Sequence, residues 1–109
     1  MKYAFIVMSD PVPGSEEEYN DWYSNTHLRE MLKTPGFVAA QRFQTISDIA
    51  DGPPHSYLAF FEIDGDLEEA KAALAAGAEN RVPAPDAVAR ERKTWWFAAV
   101  SPRIEAEDA

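Results

Sequence analysis

With 109 residues, 46% of them hydrophobic, the chain has room for one domain with a modest core and for no second one. Ten basic against nineteen acidic residues leave a formal charge of -9, which repels phosphate backbones and anionic lipid, so nucleic acid and membranes are excluded as partners. No stretch approaches the roughly 20 apolar residues of a membrane span, and the absence of cysteine removes disulfides, thiolate metal sites and a Cys nucleophile, which fits a cytoplasmic protein.

From Tyr3 to Met8 the residues are apolar and β-prone, and Asp10-Pro11-Val12-Pro13-Gly14 stops the run. This predicts strand one, since the run is too short for a secretory signal and lacks its small-residue cleavage site. Ser15 followed by Glu16, Glu17 and Glu18 reads as a helix start, with Ser15 and Glu18 placed for a capping box. The helix predicted over 15–33 puts Tyr19, Trp22, Tyr23, Thr26, His27, Glu30 and Met31 on one face at intervals of three and four, and Thr34-Pro35-Gly36 ends it.

Phe37 to Ile46 alternates with a period of two, placing Phe37, Ala39, Gln41 and Phe43 on one face and Val38, Ala40, Arg42 and Gln44 on the other. A loop over 47–55 carries Asp51-Gly52-Pro53-Pro54, and Ser56 to Ile63 is the third strand. Asp66 is placed to cap an Ala-rich helix from Leu67 to about Glu79, which turns Leu67, Ala70, Leu74 and Ala78 to one side. Asn80 to Pro85 is a loop, 86–92 is a helical turn or an approach to the last strand, and Thr94 to Val100 is strand four. Residues 1–102 thus form the domain, and 103–109 are expected to be a flexible acidic tail.

The order β-α-β-β-α-β is the split βαβ pattern of an α+β, ferredoxin-like domain with a four-stranded antiparallel sheet. Right-handed crossovers place both helices on one face of that sheet. The other face keeps apolar side chains from strands two and four, and pairing two such sheets as a symmetric homodimer covers them.

The segments Tyr19-Asn20-Asp21-Trp22-Tyr23-Ser24-Asn25-Thr26-His27-Leu28 and Pro35-Gly36-Phe37-Val38-Ala39-Ala40-Gln41-Arg42-Phe43 resemble the EthD-like branch of the dimeric α-β barrel superfamily. Members of that branch carry an aromatic pair and a His on helix one, then a Pro-Gly turn into a strand with an Arg-aromatic pair. The resemblance implies a dimeric α-β barrel. It selects no reaction by itself, because the superfamily includes cofactor-free monooxygenases, polyketide cyclases, muconolactone isomerases, decarboxylases and haem proteins.

Taken alone, His27 reads either as a buried, hydrogen-bonded helix residue or as a group that moves protons near neutral pH. The resemblance strengthens the second reading, because related barrels place a proton-handling His between helix and sheet. Tyr23 and Tyr19 are of the type that donates to a carbonyl or developing oxyanion, with core packing as the plain alternative. Tyr57 would complete a polar lining, and Trp22 and Trp96 an apolar wall, since neighbouring Trp95 and Trp96 point to opposite faces. Arg42 either holds a carboxylate or phenolate or pairs with one of many acidic residues, and the acidic balance favours the pair. His55 reads as a solvated loop residue. No calcium loop, phosphate-binding glycine loop or nucleophile elbow is present, so no metal or other cofactor is implied. The reading is a cofactor-independent lyase, isomerase or cyclase acting by proton transfer on a small apolar, aromatic or polyketide-like carbonyl compound, with His27 and Tyr23 catalytic. The alternatives are a non-catalytic barrel that binds a small hydrophobic ligand and a cofactor-free monooxygenase.

Overall fold

The structure is a computed structural model that describes residues 2–46, 52 and 54–109. Its elements are β1 (Lys2–Pro11), α1 (Glu16–Trp22), a π-helical turn (Tyr23–His27), α2 (Leu28–Met31), β2 (Phe37–Gln44), β3 (Tyr57–Asp64), α3 (Leu67–Ala76) and β4 (Val88–Ala98). Short 3-10 turns cover Ala78–Asn80 and Ala106–Asp108. The loop predicted over 47–55 falls largely outside the described residues.

The strands form one sheet in the order β2-β3-β1-β4, every neighbour antiparallel, which is the ferredoxin-like arrangement. Each helix-bearing connection skips one strand: β3 lies between β1 and β2, and β1 lies between β3 and β4. On the helix-covered face, Phe5, Val7, Ala59, Phe61 and Ile63 from the two central strands meet Tyr19, Tyr23, Met31 and Ala70 from the helices. Pairing fixes the opposite face, where Ile6 lies between Phe60 and Trp95, and Met8 lies beside Leu58 with Phe43 beyond it. That face is open: Phe97 is 54% and Phe43 50% exposed.

Local chemistry explains most element ends. Asp66 caps α3 by accepting from the backbone N–H of Glu69 at 2.8 Å. Gly36 has φ +92°, and a Cβ there would lie 3.3 Å from the Ala70 Cβ, so the Pro-Gly turn both needs the left-handed region and lets α3 approach. At α1 the expected capping box does not form. The Ser15 side chain makes no cap bond, and the Glu16 carboxylate instead accepts from the Gly14 N–H at 3.2 Å.

Two strand expectations are corrected. A bulge between Phe37 and Ala39 inserts one extra residue into β2, so Phe37 is buried against the helices together with the side of the strand that carries Ala40 and Arg42. Phe43 therefore lies on the face opposite Phe37. The last strand begins at Val88 rather than Thr94, because Arg92 and Val88 extend the pairing with β1 across a second irregularity near Pro11. Among the described residues no helix is long and apolar enough to cross a membrane.

Candidate functional site

The helix carrying Tyr19, Trp22, Tyr23 and His27 is not uniformly α-helical. The backbone N–H of Leu28 reaches the Tyr23 carbonyl, a bond to the fifth residue back, which widens the turn Tyr23–His27. On a regular α-helix, residues five apart are rotated by about 140° and do not meet. The wider turn brings His27 over both Trp22 and Tyr23. Its ring stacks on the Trp22 ring at 4.6 Å between centroids and 21° between planes, and it meets the Tyr23 ring edge-on at 5.0 Å.

These three side chains line a cavity of about 420 Å³ between the helix, the sheet and the segment that precedes β4. Val7 and Ser9 form the sheet side, and Arg81, Val82, Pro83, Ala84, Val88 and Arg92 form the far wall, with Glu79 and Ala78 beside them. Most of these groups are apolar, and the volume suits a small molecule.

Burial lowers the His27 pKa to about 4, the Arg81 guanidinium adding to the effect against a raising influence from Glu30, with Arg92 lowering it further. The imidazole is therefore neutral at pH 7. Its Nδ1 is buried without a hydrogen-bond partner, so ring stacking rather than an acceptor holds the side chain. Burial pushes the Tyr23 hydroxyl up to about 12, the neighbouring Tyr19 adding to the shift and Arg42 and Arg92 opposing it. Tyr23 therefore stays protonated and able to donate throughout the physiological range.

No protein-family model and no curated protein matches this sequence. Solved structures do match. They include an EthD family protein from Bacillus halodurans, 13% identical over 92% of this chain and 100% of that one, with a TM-score of 0.58. SnoaB, a cofactor-independent oxygenase from Streptomyces nogalater, is 15% identical over 95% and 98% of the two chains, with a TM-score of 0.59. The haem degrader MhuD from Mycobacterium tuberculosis, solved with two haems in its active site, is 20% identical over 93% and 98%, with a TM-score of 0.60. The chain shares the α+β, ferredoxin-like fold of these proteins. At these identities the likeness is one of fold, which is shared among proteins of different chemistry.

Within this fold, the other residues that the sequence points to fall into two groups away from the cavity. Tyr19, Tyr57 and Arg42 form a cluster behind Tyr23. The Arg42 guanidinium lies 4.7 Å from the Tyr23 ring centroid and 5.3 Å from those of Tyr19 and Tyr57, and it donates to the Ser24 hydroxyl at 2.8 Å. The expected ion pair is corrected. Among the described residues no carboxylate pairs with Arg42, because its position on the helix-covered face surrounds it with aromatic rings rather than surface acids. Tyr19 is fully buried and its hydroxyl bonds the Ser9 hydroxyl, while Tyr57 accepts from the Asn20 side-chain amide at 3.3 Å. Trp96 does face the helices, but it stacks on Phe5 at 4.1 Å with the Lys71 ammonium 5.2 Å from its ring centroid, and it does not border the cavity.

His55 is also corrected, from solvated to buried. Its Nδ1 lies 2.7 Å from the Asp10 carboxylate, which in turn accepts from the Ser56 N–H at 2.7 Å. The acidic partner comes from the far end of β1, 45 residues earlier, so no local spacing announces the pair. No local signal marks Arg81 and Arg92 either. They lie in a loop and on a strand with no motif, and only the return of the chain from α3 to β4 carries them to the cavity opposite His27. Among the described residues no group of three acidic or His side chains is arranged to hold a metal ion.

Proposed function

We propose that the protein is a cofactor-independent enzyme that moves a proton on a small, largely apolar, aromatic or polyketide-like carbonyl compound, in a lyase, isomerase or cyclase step, and that it works as a homodimer. The observation that carries this reading is a neutral imidazole, that of His27, stacked in place by Trp22 and Tyr23 at the border of an apolar cavity. A neutral imidazole accepts a proton from a carbon next to a carbonyl, and the electron pair of the broken C–H bond moves into the carbonyl to give an enolate. Tyr23, still protonated, donates to that enolate oxygen and stabilises it. An imidazolium whose pKa is low in this site is a strong acid, so it returns the proton readily, at the same or another carbon. Trp22 supplies a flat apolar surface for the substrate. Tyr19, Tyr57 and Arg42 would act from behind Tyr23, as a rigid support for its ring.

Dimerisation rests on the open sheet face, where Phe43 on one edge strand and Trp95 and Phe97 on the other are exposed large apolar residues.

Incubation with 1-tetralone in D2O tests the reaction, with deuterium entry at the carbon next to the carbonyl followed by NMR. The native protein is expected to accelerate exchange over buffer, and His27→Ala is expected to lose about a hundredfold or more of that acceleration. Exchange at the native rate in a folded His27→Ala protein would refute the assignment. Oxygen uptake with a naphthohydroquinone would instead favour a cofactor-free oxygenase, the chemistry named for SnoaB.

A further inference from the structure

On the reading of the cavity as a substrate site, we propose that the substrate carries a carboxylate, which Arg81 and Arg92 bind while its apolar body lies against Trp22 and Val82. The chain has nineteen acidic and ten basic residues, yet the charged groups that line the cavity are two arginines and one glutamate, Glu79. In so acidic a protein a free guanidinium has many carboxylates to pair with. Among the described residues, none comes within salt-bridge distance of Arg81 or Arg92.

The nearby acid is already engaged. Both carboxylate oxygens of Glu30 accept from the Val82 backbone N–H, at 3.1 and 3.0 Å, so Glu30 holds the loop of the far wall. Arg81 donates once, to the Leu74 carbonyl at 2.8 Å, which closes the end of α3 and fixes the direction of the side chain. That bond uses one of five N–H donors and leaves the planar fork available. Among the described residues, none forms an ion pair with Arg92. Two guanidinium groups without a salt-bridge partner, against the single carboxylate of Glu79 in the lining, are complementary to a planar anion attached to an apolar body. The acidic exterior sharpens the contrast, since the cationic patch is where an anion is attracted rather than repelled.

The same placement couples the anion to His27. Both arginines act to keep the imidazole uncharged, and a bound carboxylate would offset them and make His27 more basic in the complex than in the free protein. Binding would then draw a proton onto the protein below neutral pH, by reciprocal linkage.

Calorimetric titration at pH 7 with 1-naphthoate and its neutral analogue 1-naphthaldehyde tests the proposal independently of turnover. The native protein is expected to bind naphthoate about tenfold or more tightly than naphthaldehyde, with a preference that falls as salt is added. Arg92→Gln, an exposed position that does not threaten folding, should remove most of that preference and leave naphthaldehyde binding unchanged. Arg81→Lys, which keeps a donor for the Leu74 carbonyl, should lose part of it. Equal affinities for the two compounds, or native naphthoate affinity in Arg92→Gln, would overturn the proposal. Arginine-dependent naphthoate binding in a protein whose proton exchange does not need His27 would uphold the carboxylate site and reject the catalytic reading. His27-dependent exchange without the preference would do the reverse. Failure of both compounds to bind would overturn the two together.

Discussion

The two faces of the sheet are built from the same four strands but differ in what surrounds them. On the helix-covered face, Phe5, Phe61 and Ile63 are buried within the chain itself, and the helix borders a cavity beside His27. On the open face, Phe43 of β2 and Trp95 and Phe97 of β4 remain exposed. Period-two alternation cannot leave either face polar here, because both sets of positions are apolar. One face therefore makes the fold and borders the His27 cavity, and the other stays open to solvent. The separation means that the two faces can be damaged one at a time.

The largest effect is expected on the open face. Phe97→Glu places a carboxylate where two facing sheets would meet, and it is expected to weaken dimerisation about a thousandfold, or about 4 kcal/mol, by sedimentation equilibrium. A variant that dimerises as tightly as the native protein would break the assignment of that face. Next comes the helix-covered face. Phe61→Ala, at a fully buried position, is expected to cost about 3–5 kcal/mol in urea unfolding. In the Phe97→Glu background Phe43→Ala is expected to cost less than about 1 kcal/mol, since its side chain is half exposed there. Equal losses at the two positions would show that the faces are not energetically distinct.

The smallest effect is one of pH. His27 has a folded pKa of about 4 against an ordinary value of 6.5, so between those values the unfolded chain binds more protons than the folded one. The associated stability is fully present above about pH 6.5 and is lost as pH falls toward 4. The urea midpoint of the native protein should fall across that window more steeply than that of His27→Gln. Parallel curves would mean that His27 is not held neutral by burial.

Much of this contrast was legible in the residues. Proline and glycine breaks, with a change of apolar period from two to three or four, separate the elements in the right order, and Asp66 caps the helix it precedes. The aromatic-His segment lies on the helix that borders the cavity. The less legible features depend on one residue more or less. A single inserted position at the start of β2 moves Phe37 to the face opposite Phe43, and a strict alternation count cannot detect it. The π-helical turn likewise places His27 on Trp22, five residues away, where a 3.6-residue period keeps them apart.

By itself the sequence determined the ferredoxin-like order of elements and the helix that carries Tyr23 and His27, because periodicity, caps and breakers are local properties of the chain. Tertiary structure decided which side chains share a site. It set Arg42 among three tyrosines instead of beside an acid, buried His55 against Asp10, and brought Arg81 and Arg92 to the cavity of His27. These are contacts across many residues of chain, and only the pairing of strands and the crossover of helices fixes them.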